Sequence, residues 1–476
     1  PWAFHSRNSA PNYIKKITYE TGRITHHVVM QLLMVNAKIF TALIIIITLI
    51  IFNPKVSIIC FLIFASSYFL IFRIFRSNLH NAGKKLTSTQ DVMFKVMNEG
   101  FTGIREVIIY DKQKKFYDKF FNNSYIYAKE LRLIQFLGYT PKYFLEFVAF
   151  AILLSFIFFF ILTSSDNNLF KTLPILAIYV FAGYKLLPIF QGIYSGFVQV
   201  KSNINAVNVL EKEWDLINIE NIDFDNDSDH TSKIALKNSI IFKNVSYKYK
   251  NSEKIAVENI NLKINPNSIN CIVGPSGSGK TTFLDLFLGL LDIQNGKILI
   301  DDKELSSVNK RKWQNNINYV GQNIFLFDDT IKNNICFGQN YNDIDEKKLN
   351  AAVTASDVKS FLNDLKDGIE TIVGDRGIKL SGGQRQRIAI ARALYHNKDI
   401  IVFDEATNSL DGISEKTVID QLNLLSKSKT ILLVTHNIRL TKFADNIYLL
   451  DKGLVIDSGK YENLIKNNMF KKLLNE

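Results

Sequence analysis

Cysteine is scarce. Cys60, Cys271 and Cys336 are the only three in 476 residues, and they share no paired spacing. That pattern excludes a disulfide scaffold and fits a reducing compartment plus one apolar segment. No repeat of 20–50 residues is evident. Charge is absent from residues 56–72 and 147–165 and from the stretch between Lys38 and Lys55, while residues 172–200 contain only Lys185. Runs such as Leu43-Ile44-Ile45-Ile46-Ile47 and Phe156-Ile157-Phe158-Phe159-Phe160 leave no polar face for a surface helix. A hydrocarbon core takes about 20 residues of helix. Four membrane spans are therefore expected, at about 30–53, 56–76, 143–163 and 172–196. The sequence begins at Pro1 without an initiator methionine, and no signal peptide is expected in its opening residues.

Orientation follows from the basic residues. Arg73, Arg76, Lys84 and Lys85 follow the second span, and Lys112, Lys114, Lys115 and Lys119 precede the third. The other flanks are short and carry few basic residues, so residues 73–142 are expected in the cytoplasm. The net charge of +12 needs no nucleic acid. Membrane flanks, anionic lipid and nucleotide phosphates account for it. Residues 12–52 have no proline and only Gly22 as a breaker, which permits a helix of roughly 60 Å that protrudes beyond the bilayer.

The second half is of a different kind. Gly274-Pro275-Ser276-Gly277-Ser278-Gly279-Lys280-Thr281 fits the phosphate-binding P-loop. It follows a strand-like run, residues 269–273, and opens into a helix at Thr282. Backbone N–H groups and the helix N-terminus present partial positive charge to phosphates, Lys280 adds a full charge, and the Thr281 hydroxyl can ligate magnesium. About a hundred residues later, Leu380-Ser381-Gly382-Gly383-Gln384 repeats the device: a hydroxyl, two exposed backbone amides and a helix start.

From about residue 240 onward the chain resembles the ATP-binding cassette family, whose signature motif Ser381, Gly382, Gly383 and Gln384 match. The resemblance implies ATP held between the P-loop of one domain and the signature of a partner, with Mg2+, in a head-to-tail dimer. It implies that Asp404, ending the strand-like run 400–404, holds magnesium through water, and that Glu405 is the general base. Gln322 matches the Q-loop at the metal, and His436 the switch histidine at the γ-phosphate. Asp411 matches the D-loop, with Asn408 where alanine is more usual. Tyr249 sits where an aromatic ring stacks on adenine, with Tyr247 as the nearby alternative. Residues 373–377 resemble the exporter segment that contacts a coupling helix, and 103–120 a coupling helix region.

The whole chain resembles a type IV ABC exporter half-transporter. The fold expected is multi-domain: an all-α transmembrane domain at 1–215, a linker at 216–235, and an α/β P-loop ATP-binding cassette with a helical subdomain at 236–476. The family carries six membrane helices where four are read here, so an N-terminal truncation is expected, with residues 1–10 as the first coupling segment. Short matches around Ile17, Pro141 and Tyr184 resemble the PglK-type lipid-linked oligosaccharide flippases. In that family cationic side chains line the cavity; two such positions are Lys142 and Lys185 here, and another is Gly192. Lys185 inside a span either faces a cavity or snorkels to the interface. Lys142 can equally anchor at the interface or pair with Glu146. The resemblance implies an ATP-driven homodimer in the bacterial inner membrane, in contact with lipid, that moves a lipid-linked glycan. Peptide or drug export is the alternative. A non-transport cassette ATPase is disfavoured by the apolar first half.

Overall fold

The computed structural model describes residues 2–5, 10–52, 54–163, 169–219, 234, 236–249, 252–405 and 412–475. The chain divides into two compact units, Phe4–Asp223 and Phe224–Glu476, the second including Pro1–Ala3.

The first unit is helical. Its long helices are Ala10–Phe52, Pro54–Thr102, Gln113–Thr163 and Leu169–Ile219, with a short helix Ile104–Ile109 between the second and third. Pro54 occupies the first helical position, where its missing N–H costs nothing. The first helix is long and apolar enough to cross a membrane. It is not a uniform α-helix, because Lys16–Glu20 and Thr25–Val29 are π-helical. The widened turns have a use. Five residues advance an α-helix by about 500°, so Lys15 and Glu20 would diverge by about 140°; an i→i+5 turn brings them onto one face. There both are buried together with Arg23. Glu20 receives Arg23 Nη1 at 3.0 Å and Lys15 Nζ at 3.2 Å, and Lys15 also pairs with Asp91 of the second helix. Removing either partner of such a buried pair leaves an uncompensated charge.

Farther along, Leu79, Ala82 and Leu86 pack with Ile134, Leu137, Tyr194 and Val198. A Cβ on Gly83 would collide with the Ser202 backbone carbonyl of the fourth long helix, so only glycine permits that approach. Pro141 lies within Gln113–Thr163 and cannot donate to Leu137 O. Tyr194 donates its hydroxyl to that freed carbonyl at 3.3 Å, and Gln191 Nε2 donates to Gly138 O at 3.0 Å. Side chains from the neighbouring helix thus satisfy the broken ladder, as buried backbone groups require. Outward faces are apolar: Ile44, Ile47, Ile51, Phe69, Leu70, Phe147, Phe150 and Phe158 are all exposed.

The second unit has two sheets. Strands β1 (Ile240–Tyr247), β2 (Val257–Ile264), β4 (Asn295–Ile300) and β5 (Lys303–Glu304) form an antiparallel sheet in the order β2-β1-β4-β5. Strands β3 (Ile269–Val273), β6 (Ile317–Val320), β7 (Ile400–Asp404), β8 (Thr430–Thr435), β9 (Asn446–Asp451) and β10 (Leu454–Gly459) form the other, ordered β10-β9-β3-β8-β7-β6. It is parallel except for the β9–β10 pair. β3 and β8 are buried throughout, as strands covered on both faces should be. Helix Lys280–Phe287 presents Phe283 and Phe287 to Phe242 and Trp313, and Trp313 Nε1 donates to Phe287 O at 2.7 Å. Each buried ring is worth about 1.5–3 kcal/mol, and together they fix the helix against the sheet. A helical subdomain built on Ile331–Ile335, Glu346–Ala355 and Gly382–Tyr395 has its own core around Leu326, Leu349, Phe361, Val373 and Ile388.

Candidate nucleotide site

The buried strand β3 runs directly into the glycine-rich loop. Gly274 has φ +158° and a Cβ there would strike Leu450 O, whereas Gly277, at φ +77°, has open space beside it. One glycine is needed for packing beneath the loop. The other supplies a left-handed turn that bares its amide. Lys280 opens the helix and is buried, with Nζ donating to Gly274 O at 2.8 Å and Pro275 O at 2.9 Å. Burial holds its pKa below the ordinary lysine value. The ammonium therefore spans its own loop, placed where phosphate oxygens can replace those carbonyls. Ser278 Oγ is buried and has no hydrogen-bond partner. A bare cradle, a cation and an orphaned hydroxyl in one loop fit a polyphosphate. Ser276 and Thr281 are exposed at its mouth, Thr282 is buried behind it, and Gly279 adopts the left-handed conformation at the helix start.

Strand β7 ends in Asp404, and Glu405 follows with φ +50°. For a residue with a Cβ that conformation costs about 1–2 kcal/mol. It is held by Glu405 N donating to Val434 O at 2.8 Å. The kink aims the carboxylate between two partners. Gln322 Nε2 donates to Oε2 at 2.6 Å, and His436 Nδ1 lies 3.2 Å from Oε1. The structure thus brings Gln322, Glu405 and His436 together, half-shielded at the glutamate and exposed at the other two. Asp404 Oδ2 accepts from Tyr319 at 3.1 Å, and burial raises the Asp404 pKa above its usual range.

Helix Gly382–Tyr395 begins at an exposed end. Ser381 Oγ accepts from Gln384 N at 3.2 Å and Gln384 Oε1 accepts from Ser381 N at 2.8 Å, a complete capping box. One Ser381 lone pair is thus committed to its own helix, while its O–H proton and the amides of Gly382 and Gly383 remain for an external anion. Arg385 donates to Leu380 O at 2.8 Å and Gly377 O at 3.4 Å, tying residues 373–377 to the same helix. Tyr249 is partly exposed, with its hydroxyl 3.2 Å from Thr282 Oγ1. Tyr247 is buried in the core, so of the two tyrosines only Tyr249 has a ring face to offer. Asp411, Asn408 and the segment between them, like most of the linker, lie outside the described residues.

Two residues were missed by sequence reasoning. Tyr319 binds Asp404 from the end of β6. Asp285 lies on the P-loop helix, where burial and the neighbouring Asp404 charge push its carboxyl up to about 6. A signal existed for Asp285. It is four residues after Thr281, hence on the same helical face. In the helical unit, Lys142 sits 3.8 Å from Glu146, and Lys185 is exposed with Nζ 5.9 Å from the Phe181 ring centroid.

A parallel sheet with a P-loop at β3, carboxylates at β7 and a second glycine-bearing helix start defines an ATP-binding cassette, and the cassette binds ATP. Comparison with known proteins agrees: residues 257–408 match the ABC transporter family and residues 1–184 the ABC transporter transmembrane region. The chain therefore carries an ABC transporter transmembrane region followed by an ABC transporter cassette. An ATP-dependent lipid A-core flippase of Desulfotalea psychrophila is 40% identical over 236 residues, 50% of this chain and 41% of that protein. One from Cupriavidus pinatubonensis is 36% identical over 233 residues, spanning 49% and 40%. These matches thus span about two-fifths of the relatives' length. The flippase of Francisella tularensis subsp. holarctica is 27% identical over 474 residues, 98% of this chain and 75% of its own. Among solved structures, a bacterial Atm1-family ABC exporter with ATP bound superposes with a TM-score of 0.69 over 96% of this chain and 81% of that one, at 21% identity, which shows the shared fold.

Proposed function

We propose that the chain is one subunit of an ATP-driven flippase of the bacterial inner membrane, acting as a homodimer on a lipid-linked glycan. The observation that carries the ATPase half is the Glu405 carboxylate, held between Gln322 and His436 at the end of β7. Glu405 accepts a proton from water aligned on the γ-phosphate, and the two neighbours keep its oxygens aimed. Lys280 and the loop amides bind the β- and γ-phosphates. Thr281, Gln322 and Asp404 hold Mg2+, which when bound neutralises phosphate charge. Ser381, Gly382, Gly383 and Gln384 complete the site of the partner subunit. Tyr249 stacks on adenine.

In this reading the four long helices cross the membrane once each at about 30–53, 56–76, 143–163 and 172–196. Residues 73–142 and the cassette lie in the cytoplasm, and 216–235 link the two domains. Relatives named as lipid A-core flippases support an amphiphilic lipid cargo. Lys185 supports an anionic group on it, since an ionisable side chain inside a span faces a cavity or a partner. The Lys142–Glu146 pair favours a second reading, export of a peptide or drug, because a neutralised lysine recruits no anion. The test is flipping of a fluorescent lipid-linked oligosaccharide in proteoliposomes. ATP-dependent movement of this probe, absent for a fluorescent peptide or hydrophobic amine, supports the glycan cargo; the opposite pattern refutes it.

A further inference from the structure

The tyrosine and glycine that precede Gln322 have no role in the motifs. β6 and β7 are parallel, with Tyr319 opposite Val402 and Val320 opposite Phe403. Side chains alternate along a strand, so this register puts Tyr319 on the face that carries Asp404, two residues beyond Val402. Tyr319 Oη donates to Asp404 Oδ2 at 3.1 Å, and no other group donates to that carboxylate among the described residues. Oδ1 of the half-buried Asp404 is left without a donor. A hard anionic oxygen so left is what magnesium, or water bound to it, takes as a ligand.

Gly321 makes the contact possible. A Cβ there would lie 2.9 Å from Tyr319 Cε1, 2.9 Å from Oη and 3.1 Å from Cζ, closer than packed atoms come. The Gly321 backbone is not left-handed, so it is room and not φ that calls for glycine. A methyl group at position 321 must displace the end of the ring, and the end of the ring is the hydroxyl that holds Asp404.

We infer that Tyr319 is a positioning residue for magnesium: its hydroxyl holds one oxygen of Asp404 and keeps the other free for the metal, and Gly321 leaves the ring the space to do so. Without the hydroxyl the carboxylate is free to rotate and both of its oxygens turn to water. The cost then appears only when the metal must be bound. This rests on the reading of Asp404 as a magnesium ligand and adds two residues that the motifs did not single out.

The test measures ATP affinity of the full chain twice, in excess EDTA and in excess Mg2+. By linkage the ratio of the two affinities changes by the same factor as the affinity of the bound complex for the metal. Affinity in EDTA also reports that each variant is folded. Groups that orient a metal's ligands are worth about 10–100-fold in metal affinity, so Tyr319→Phe should cut the ratio by about tenfold or more and leave affinity in EDTA unchanged. Gly321→Ala should do the same. The double variant should lose no more than either single one, because both act through one hydrogen bond. Asp404→Asn should cut the ratio at least as far. An unchanged ratio in Asp404→Asn overturns the magnesium reading beneath. A lowered ratio in Asp404→Asn beside a wild-type ratio in Tyr319→Phe overturns the Tyr319 role alone. Equal weakening by Tyr319→Phe with and without Mg2+ overturns it as well, since a residue that only shapes the pocket behaves in that way. Losses that multiply in the double variant overturn the pairing of Gly321 with Tyr319.

Discussion

Gln322 donates its side-chain amide to Glu405 across 2.6 Å, and the two residues are 83 positions apart in sequence. They meet because β6 and β7 are parallel neighbours, with Ile317 opposite Ile400 and Val320 opposite Phe403. β8 lies on the other side of β7 and delivers His436 to the same carboxylate. All three residues follow the carboxyl ends of adjacent parallel strands, the edge where open α/β sheets bind ligands.

Replacing Glu405 with Gln keeps the size and the contact region but removes the proton acceptor. ATP turnover should fall by about 10²–10⁴-fold, the usual weight of a positioned base, while ATP affinity stays within a few-fold. Steady-state ATPase assay and nucleotide titration separate the two. Turnover close to wild type would remove Glu405 from the base role.

Lys280→Ala should act at the earlier step. The loop loses its only full charge, and nucleotide affinity should drop by about tenfold or more, as for a hydrogen bond to a charged group. Unchanged affinity by titration would contradict the P-loop assignment.

Asp285 predicts a pH signature in the nucleotide-free protein. Its carboxyl is raised from 3.8 to about 6 by burial and by Asp404. Between those values the folded state binds more protons than the unfolded one, so stability declines as pH rises through this window and stays lower above it. Asp285→Asn removes that penalty. Its melting temperature should exceed the wild type's at pH 7.5, with the gap closing as the pH falls toward 4. A gap independent of pH would show that Asp285 is not the group responsible.

Tyr194→Phe should destabilise the helical unit by about 1–3 kcal/mol, the cost of leaving a buried acceptor unpaired, read as a lower unfolding temperature in detergent. In a Pro141→Ala background, residue 141 regains an N–H for Leu137 O, and the same tyrosine change should cost less. Equal costs in both backgrounds would mean that Tyr194 does not serve the carbonyl freed by proline.

What the sequence determined alone was local. The P-loop was legible because its glycines, lysine and threonine are contiguous and bracketed by a strand and a helix. The signature loop was legible because a capping serine, two glycines and Gln384 must be adjacent to start a helix. The apolar runs marked the long helices for the same reason, since a composition without a polar face leaves few alternatives. Tertiary structure decided everything that depends on neighbours distant in the chain. Tyr319 reaches Asp404 only because β6 and β7 pair, and Asp285 is perturbed only because the P-loop helix packs beside β7's end. The π-helical turns that align Lys15 with Glu20 answer to burial against the second helix, so no propensity in residues 12–52 announced them. The fit of Gly83 against the Ser202 carbonyl carried no motif either, because an empty space in one helix is visible only when another helix is packed against it.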